Sequence, residues 1–138
     1  MTKLLLDTNT LNYLTKGWRS ALDYYEDAVE KRATFLLVPV TQYEMTRYFE
    51  LRGMSRLLQN YEEITASWQR CDLSFDDWKE AAHLWAERHR IGRPITDMDL
   101  LIAVLARREG AVLVTSNVRH FQGLGIELQD WMVPNGPH

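Results

Sequence analysis

Three carboxylates stand where the chain passes between predicted elements: Asp7 at the end of KLLLD, Glu44 in TQYE and Asp99 in RPITDMDLLIA. Asn117, in VLVTSN, stands at a fourth such point. Acids so placed have two uses. At a helix start they cap free backbone N–H groups and gain from the helix dipole. Thr41 with Glu44, and Thr96 with Asp99, have the three-residue offset of a capping box. At the carboxyl edge of a parallel sheet, the same residues line the place where open α/β sheets bind ligands. Two carboxylates about 4 Å apart in an effective dielectric of about 20 repel by about 4 kcal/mol, so a cluster of three must take up protons or hold a cation. Oxygen donors favour a hard ion, Mg²⁺ or Mn²⁺, over Zn²⁺. His83, His89, His120 and His138 show no zinc-type spacing. Because Mg²⁺ binds through few carboxylates plus substrate phosphate, such a site points to phosphate chemistry.

For these acids to meet, the elements between them must alternate correctly. Strands are expected at Lys3–Leu6, Thr34–Val40 and Ala111–Thr115, with weaker ones at Trp68–Leu73 and Ile126–Leu128. Helices are expected at Thr8–Lys16, Ser20–Arg32, Thr41–Leu51, Ser55–Ser67, Ser74–Arg90 and Thr96–Arg108. Gly17, Gly53 and Gly110 supply stops. Alternation of this kind predicts an α/β fold: a mostly parallel sheet of four or five strands with helices on both faces. The carboxyl ends of its strands share one edge, which brings Asp7, Glu44, Asp99 and Asn117 toward one pocket.

The 138 residues fit a single domain, 1–138, with the last few as a flexible tail. A net charge of −3 excludes coating nucleic acid by bulk positive charge, although twelve of the sixteen basic residues are Arg, suited to forked phosphate contacts. The short apolar N-terminal run lacks the features of a secretory signal, and no apolar stretch approaches a membrane span. The lone Cys71, read as a small buried hydrophobe, suits a reducing cytoplasm. Trp78 and Trp85, at helical spacing, read as core or interface rather than base-stacking residues. Core packing is also the reading for the cluster of Tyr43, Met45, Tyr48 and Phe49.

LLLDTNTLNYL, Glu44 after the second strand, GRPITDMDLLIAVLA, and GAVLVTSNVRHF leading to GLGIELQDW together resemble a PIN-domain ribonuclease of the VapC type, the toxin of a bacterial toxin–antitoxin pair. The resemblance runs from about Leu4 to Trp131. It implies a PIN-like domain and an endoribonuclease that uses Mg²⁺ or Mn²⁺ to cut RNA with metal-activated water. Asp7 and Asp99 then become metal ligands, Glu44 a ligand or orienter of the water, and Asn117 a hydrogen-bonding support. Thr8, Asp97 and Thr115 are supporting candidates, Asp97 ranking below Asp99 because residues two apart at a helix start face differently. Arg93, beside the Asp99 loop, and Arg119, beside Asn117, are candidates for phosphate contact. The resemblance also implies a homodimer and a small antitoxin that covers the site. One departure is His120, at a position that is often acidic in the family; it puts a fourth acid, and a second metal, in question.

Two other readings compete. A haloacid-dehalogenase-like phosphatase also starts from an Asp after a strand, but the second acid of its motif is Asn9 here, and Asp97 is followed four residues later by Leu101. A catalytically degenerate PIN-fold module that only binds RNA or protein is disfavoured by the joint presence of Asp7, Glu44 and Asp99.

Overall fold

The LLL run becomes the middle of a sheet because it is apolar on both sides. In a computed structural model describing residues 1–133, strand β1 (Lys3–Leu6) buries Leu4, Leu5 and Leu6 consecutively, the pattern of a strand covered on both faces. It pairs in parallel with β2 (Thr34–Leu37) on one side and β4 (Val112–Val114) on the other. Outside these lie β3 (Gln69–Arg70) and β5 (Leu128–Gln129), giving an all-parallel sheet of order β3-β2-β1-β4-β5.

Side-chain alternation divides the core into two layers. Leu5, Leu36 and Leu113, level with one another in the ladder, pack with α5 (Phe75–Arg90) and α6 (Asp97–Glu109). Leu4, Leu6, Phe35, Leu37 and Val114 face α1 (Thr8–Thr15), α2 (Arg19–Glu30), α3 (Pro39–Arg52) and α4 (Ser55–Thr65). The expected helices on both faces are present, and α6 buries every residue from Leu100 to Ala106.

The chain departs from expectation where local chemistry had two solutions. The second strand stops at Leu37, because Pro39 takes the first position of α3, where its fixed φ suits a helix and its missing N–H costs nothing. Thr41 therefore lies inside α3. Its hydroxyl donates to the Val38 carbonyl at 3.1 Å, and the expected Thr41–Glu44 capping box does not form. Thr96 does cap α6, accepting from the Asp99 N–H at 3.4 Å. Ser74 forms a full capping box with Asp77 at α5. A one-turn helix, α7 (Val118–Phe121), was not expected, and the last strand starts at Leu128 rather than Ile126.

Cys71 is buried as expected, but Arg108, ion-paired with Asp77, also donates to its sulfur at 3.0 Å. Met45 and Phe49 are core, whereas Tyr43 is half exposed under the Arg47 guanidinium. Trp78 and Trp85 are also half exposed, along a groove between α5 and α6. Among the described residues no helix is long and apolar enough to cross a membrane. The expected tail falls in residues 134–138, outside the described residues.

Leu5 is fully buried in the central strand, so Leu5→Ala is expected to cost roughly 3 kcal/mol of unfolding free energy, whereas Phe75→Ala, at a 92% exposed position, stays within about 0.5 kcal/mol. Urea denaturation of both variants checks the contrast.

Candidate active site at the carboxyl edge of the sheet

The chain runs outward from β1 to β2 and β3, then returns to β4 on the opposite side of β1. The crevice between the carboxyl ends of β1 and β4 is the topological switch point, where such sheets bind ligands. Asp7 sits in it. Its backbone N–H extends the ladder by donating to the Val114 carbonyl at 2.9 Å, and its Oδ1 accepts from the Thr10 N–H at 2.9 Å, capping α1. Capping and chemistry are therefore compatible uses of this carboxylate, since the cap engages one of its oxygens.

Asp7 is only 7% exposed. Burial pushes its carboxyl above the usual Asp value, and the nearby Asp99 charge pushes the same way; hydrogen bonds from the Thr115 hydroxyl and the Thr10 backbone oppose them. Asp99 is in the first turn of α6, held there by the Thr96 cap. Its Oδ2 is 3.3 Å from Nε2 of His120 on α7.

Across β1, Glu44 on α3 accepts from the Thr8 hydroxyl at 2.6 Å, and its Oε2 lies 3.7 Å from Arg47. Thr8, Asn12, Glu44, Arg47, Tyr48 and Arg52 line a cleft of about 510 Å³. Beyond β4, the Asn117 N–H donates to Thr115 Oγ1 at 3.0 Å, and the exposed Asn117 side chain makes no helix-cap bond. Asp97 lines the α5–α6 groove. Arg93 and Arg119 are exposed.

The expected cluster of three acids is not closed. Among the described residues, no group of three or more His, Cys, Asp or Glu converges as a metal cage. Glu44 is drawn to Thr8 and Arg47, which leaves Asp7, with the Asp99 charge acting on it, as the carboxylate at the switch point. Two carboxylates with water and substrate phosphate are what Mg²⁺ ordinarily takes, so the donor set fits a hard dication without a third acid. His120 Nε2, shielded from solvent and without a hydrogen-bond partner, is an orphaned polar atom at the same place.

Sequence reasoning missed two residues. Asn12, one turn after Thr8 and thus on the same helix face, lines the Glu44 cleft, and its Oδ1 is buried without a hydrogen-bond partner. Arg88, 5% exposed, donates to three carbonyls: Arg93 at 3.0 Å, Gln122 at 3.0 Å and His120 at 3.2 Å. The helical offset signals Asn12, whereas nothing local signals a buried guanidinium bonded only to carbonyls.

The raised pKa of Asp7 has a sign that can be tested. Below the ordinary Asp value near 3.8 the folded and unfolded carboxyls are both protonated; as pH rises through the raised folded value, ionisation is harder in the fold and stability is lost. Asn keeps the cap but cannot ionise. Asp7→Asn is therefore expected to melt above the unsubstituted protein at pH 7, with the gap narrowing toward pH 4. Thermal melts across that range check it; a gap independent of pH contradicts it.

Comparison with known proteins agrees with this geometry. Residues 4–125 match the PIN domain family. The chain is 30% identical over 135 residues to the tRNA(fMet)-specific endonuclease VapC of Shigella flexneri, covering 95% of this chain and 99% of the relative. It is 32% identical over 137 residues to Ribonuclease VapC1 of Haemophilus influenzae strain R2866, covering 92% and 96%. Among solved structures, VapBC2 from Rickettsia felis bound to a promoter DNA fragment superposes with a TM-score of 0.84 at 23% identity, covering 94% of this chain and 99% of the other. DNA-bound VapBC from Salmonella typhimurium gives 0.80 at 25% identity, covering 95% and 99%. With the order of its strands, the acids at their carboxyl ends and nearly full-length relatives all in accord, the chain belongs to the PIN domain family and, within it, to the VapC proteins.

Proposed function

We propose that this protein is an endoribonuclease and the toxin of a toxin–antitoxin pair, hydrolysing RNA phosphodiesters with Mg²⁺ or Mn²⁺ held by Asp7 and Asp99. The observation that carries the reading is the buried Asp7 carboxylate at the switch point, fixed by a ladder bond and a helix cap. The named relatives are ribonucleases or a tRNA endonuclease, and the structural neighbours are VapBC assemblies.

A bound dication supplies acidified water and neutralises charge developing on the phosphate. Asp7, fixed by ladder and cap, and Asp99, fixed by the Thr96 cap, would hold the ion. Glu44, anchored through Oε1 to Thr8 and through Oε2 toward Arg47, would orient the attacking water. Thr115 bonds Asp7 and positions the Asn117 backbone, which sets the Asn117 amide toward the substrate. Exposed Arg93 and Arg119 flank the Asp99 side and contact flanking phosphates. Water oxygen bonds to phosphorus, one P–O ester bond breaks, and the products are a phosphomonoester and a free hydroxyl. No side chain acts as nucleophile, and Asp97 takes no part.

The protein acts in the cytoplasm as a homodimer, and a small antitoxin silences it by covering the cleft. The Glu44 cleft, with Tyr48 and Leu51 beside Arg47 and Arg52, offers apolar contact and positive charge for such a partner.

Purified protein with Mn²⁺ is expected to cleave single-stranded or looped RNA. Asp7→Asn and Asp99→Asn should each lower the rate by roughly a thousandfold or more, and chelation should abolish it. Binding of RNA without cleavage supports the degenerate binding module instead. Release of phosphate from a small phosphoester supports the phosphatase.

A further inference from the structure

Arg88 is a buried cation that, among the described residues, bonds to backbone carbonyls and pairs with no carboxylate. It is 5% exposed; its Nε donates to the Arg93 carbonyl at 3.0 Å, Nη1 to Gln122 at 3.0 Å and Nη2 to His120 at 3.2 Å. Taking a cation out of water without an opposite charge beside it is unfavourable, and a neutral amide could serve one or two of these carbonyls without that cost. Only a guanidinium offers donors for all three in one plane. What the arrangement gains is the fixed relation of the groups it holds.

Those groups belong to two segments far apart in the chain. One leads from the end of α5 into the Thr96 cap and Asp99, and it is closed twice on Arg88, since the Arg93 N–H also donates to the Arg88 carbonyl at 2.9 Å. The other runs through α7, where Arg119 directly precedes His120, and turns away at Gly123, whose φ of +85° favours glycine. Each segment carries one exposed arginine, Arg93 on the first and Arg119 on the second. One buried fork therefore sets the backbone positions from which both reach solvent.

Resting on the reading of this site as a ribonuclease, we propose that Arg88 is a positioning residue for RNA: it ties the segments of Arg93 and Arg119 into one rim that holds neighbouring phosphates of a single strand. Being buried, it touches no phosphate itself. A protein of net charge −3 binds a polyanion through local groups, and groups already fixed in place lose less freedom on binding. Without the fork, the two arginines would act as separate, mobile charges.

Fluorescence anisotropy of a labelled single-stranded RNA with the full chain, in chelator so that nothing is cut, tests this through salt dependence. Each phosphate contact on a single strand contributes about 0.7 to the slope of log affinity against log salt. Arg93→Ala and Arg119→Ala should each lower the slope by about that amount; Arg88→Met, although buried, should lower it by about 1.4 and weaken binding roughly tenfold. In the Arg88→Met background, Arg93→Ala and Arg119→Ala should then change affinity less than about twofold. Arg88→Lys keeps the charge without the fork and should behave as Arg88→Met does. Four results overturn the positioning role and leave the ribonuclease reading standing: a cooperatively melting Arg88 variant with the wild-type slope, recovery of that slope by Arg88→Lys, failure of both variants to fold, or a slope unmoved by Arg93→Ala and Arg119→Ala. A wild-type protein that neither binds nor cleaves RNA removes both.

Discussion

A carboxylate held almost out of water at the end of the central strand is the constraint on which the rest of the structure turns. Asp7 is placed by two backbone bonds of elementary kind: a ladder bond to Val114 and a cap bond from Thr10. Neither requires a charge, because Asn would serve as well for both. The ionised form is disfavoured by burial and by Asp99, and so costs stability that a purely structural residue need not spend. Such a cost persists where the charge has work to do, and a dication is the ordinary partner that relieves it.

The fold supplies what that carboxylate needs. Because the chain reverses direction of travel across the sheet at β1, the ends of β1 and β4 open into a crevice rather than being bridged by a connection. The layer of α5 and α6 brings Asp99 to one wall, and the layer of α1 and α3 brings Thr8 and Glu44 to the other. The two walls differ electrostatically. Glu44 is attended by a hydroxyl and an arginine, whereas Asp99 faces an imidazole that gives it no aligned hydrogen bond. On the proposed reading, the metal would lie between Asp7 and Asp99, with Glu44 beside it as an orienting group rather than an equal third ligand.

Much of this was legible in the residues. Apolar strands ending on Asp or Thr, glycines closing helices and the Thr96–Asp99 offset pointed to a parallel sheet with helices on both faces and to the edge to which the acids come; the order of its strands was not legible. Pro39 misled because proline both ends strands and starts helices; only the packing of α3 against the sheet decides between them, and with that decision the Thr41 cap disappears. The closure of three acids into one cage was also beyond sequence reasoning. It depended on whether Glu44 points at Asp7 or at Thr8, a choice of rotamer and helix rotation that spacing does not encode. Arg88 was invisible for a related reason. Its partners are carbonyls of two loops distant in the chain, and carbonyls carry no residue identity.

On the proposed reading, Asp7 and Asp99 share one dication in the crevice between β1 and β4. Anomalous diffraction from crystals soaked in Mn²⁺ measures this most directly. A single strong peak at about 2.2 Å from a carboxylate oxygen of each residue is the predicted result. A crevice without a peak, or one in which Asp7 and Asp99 bond only to water and protein while the ion sits elsewhere, contradicts it.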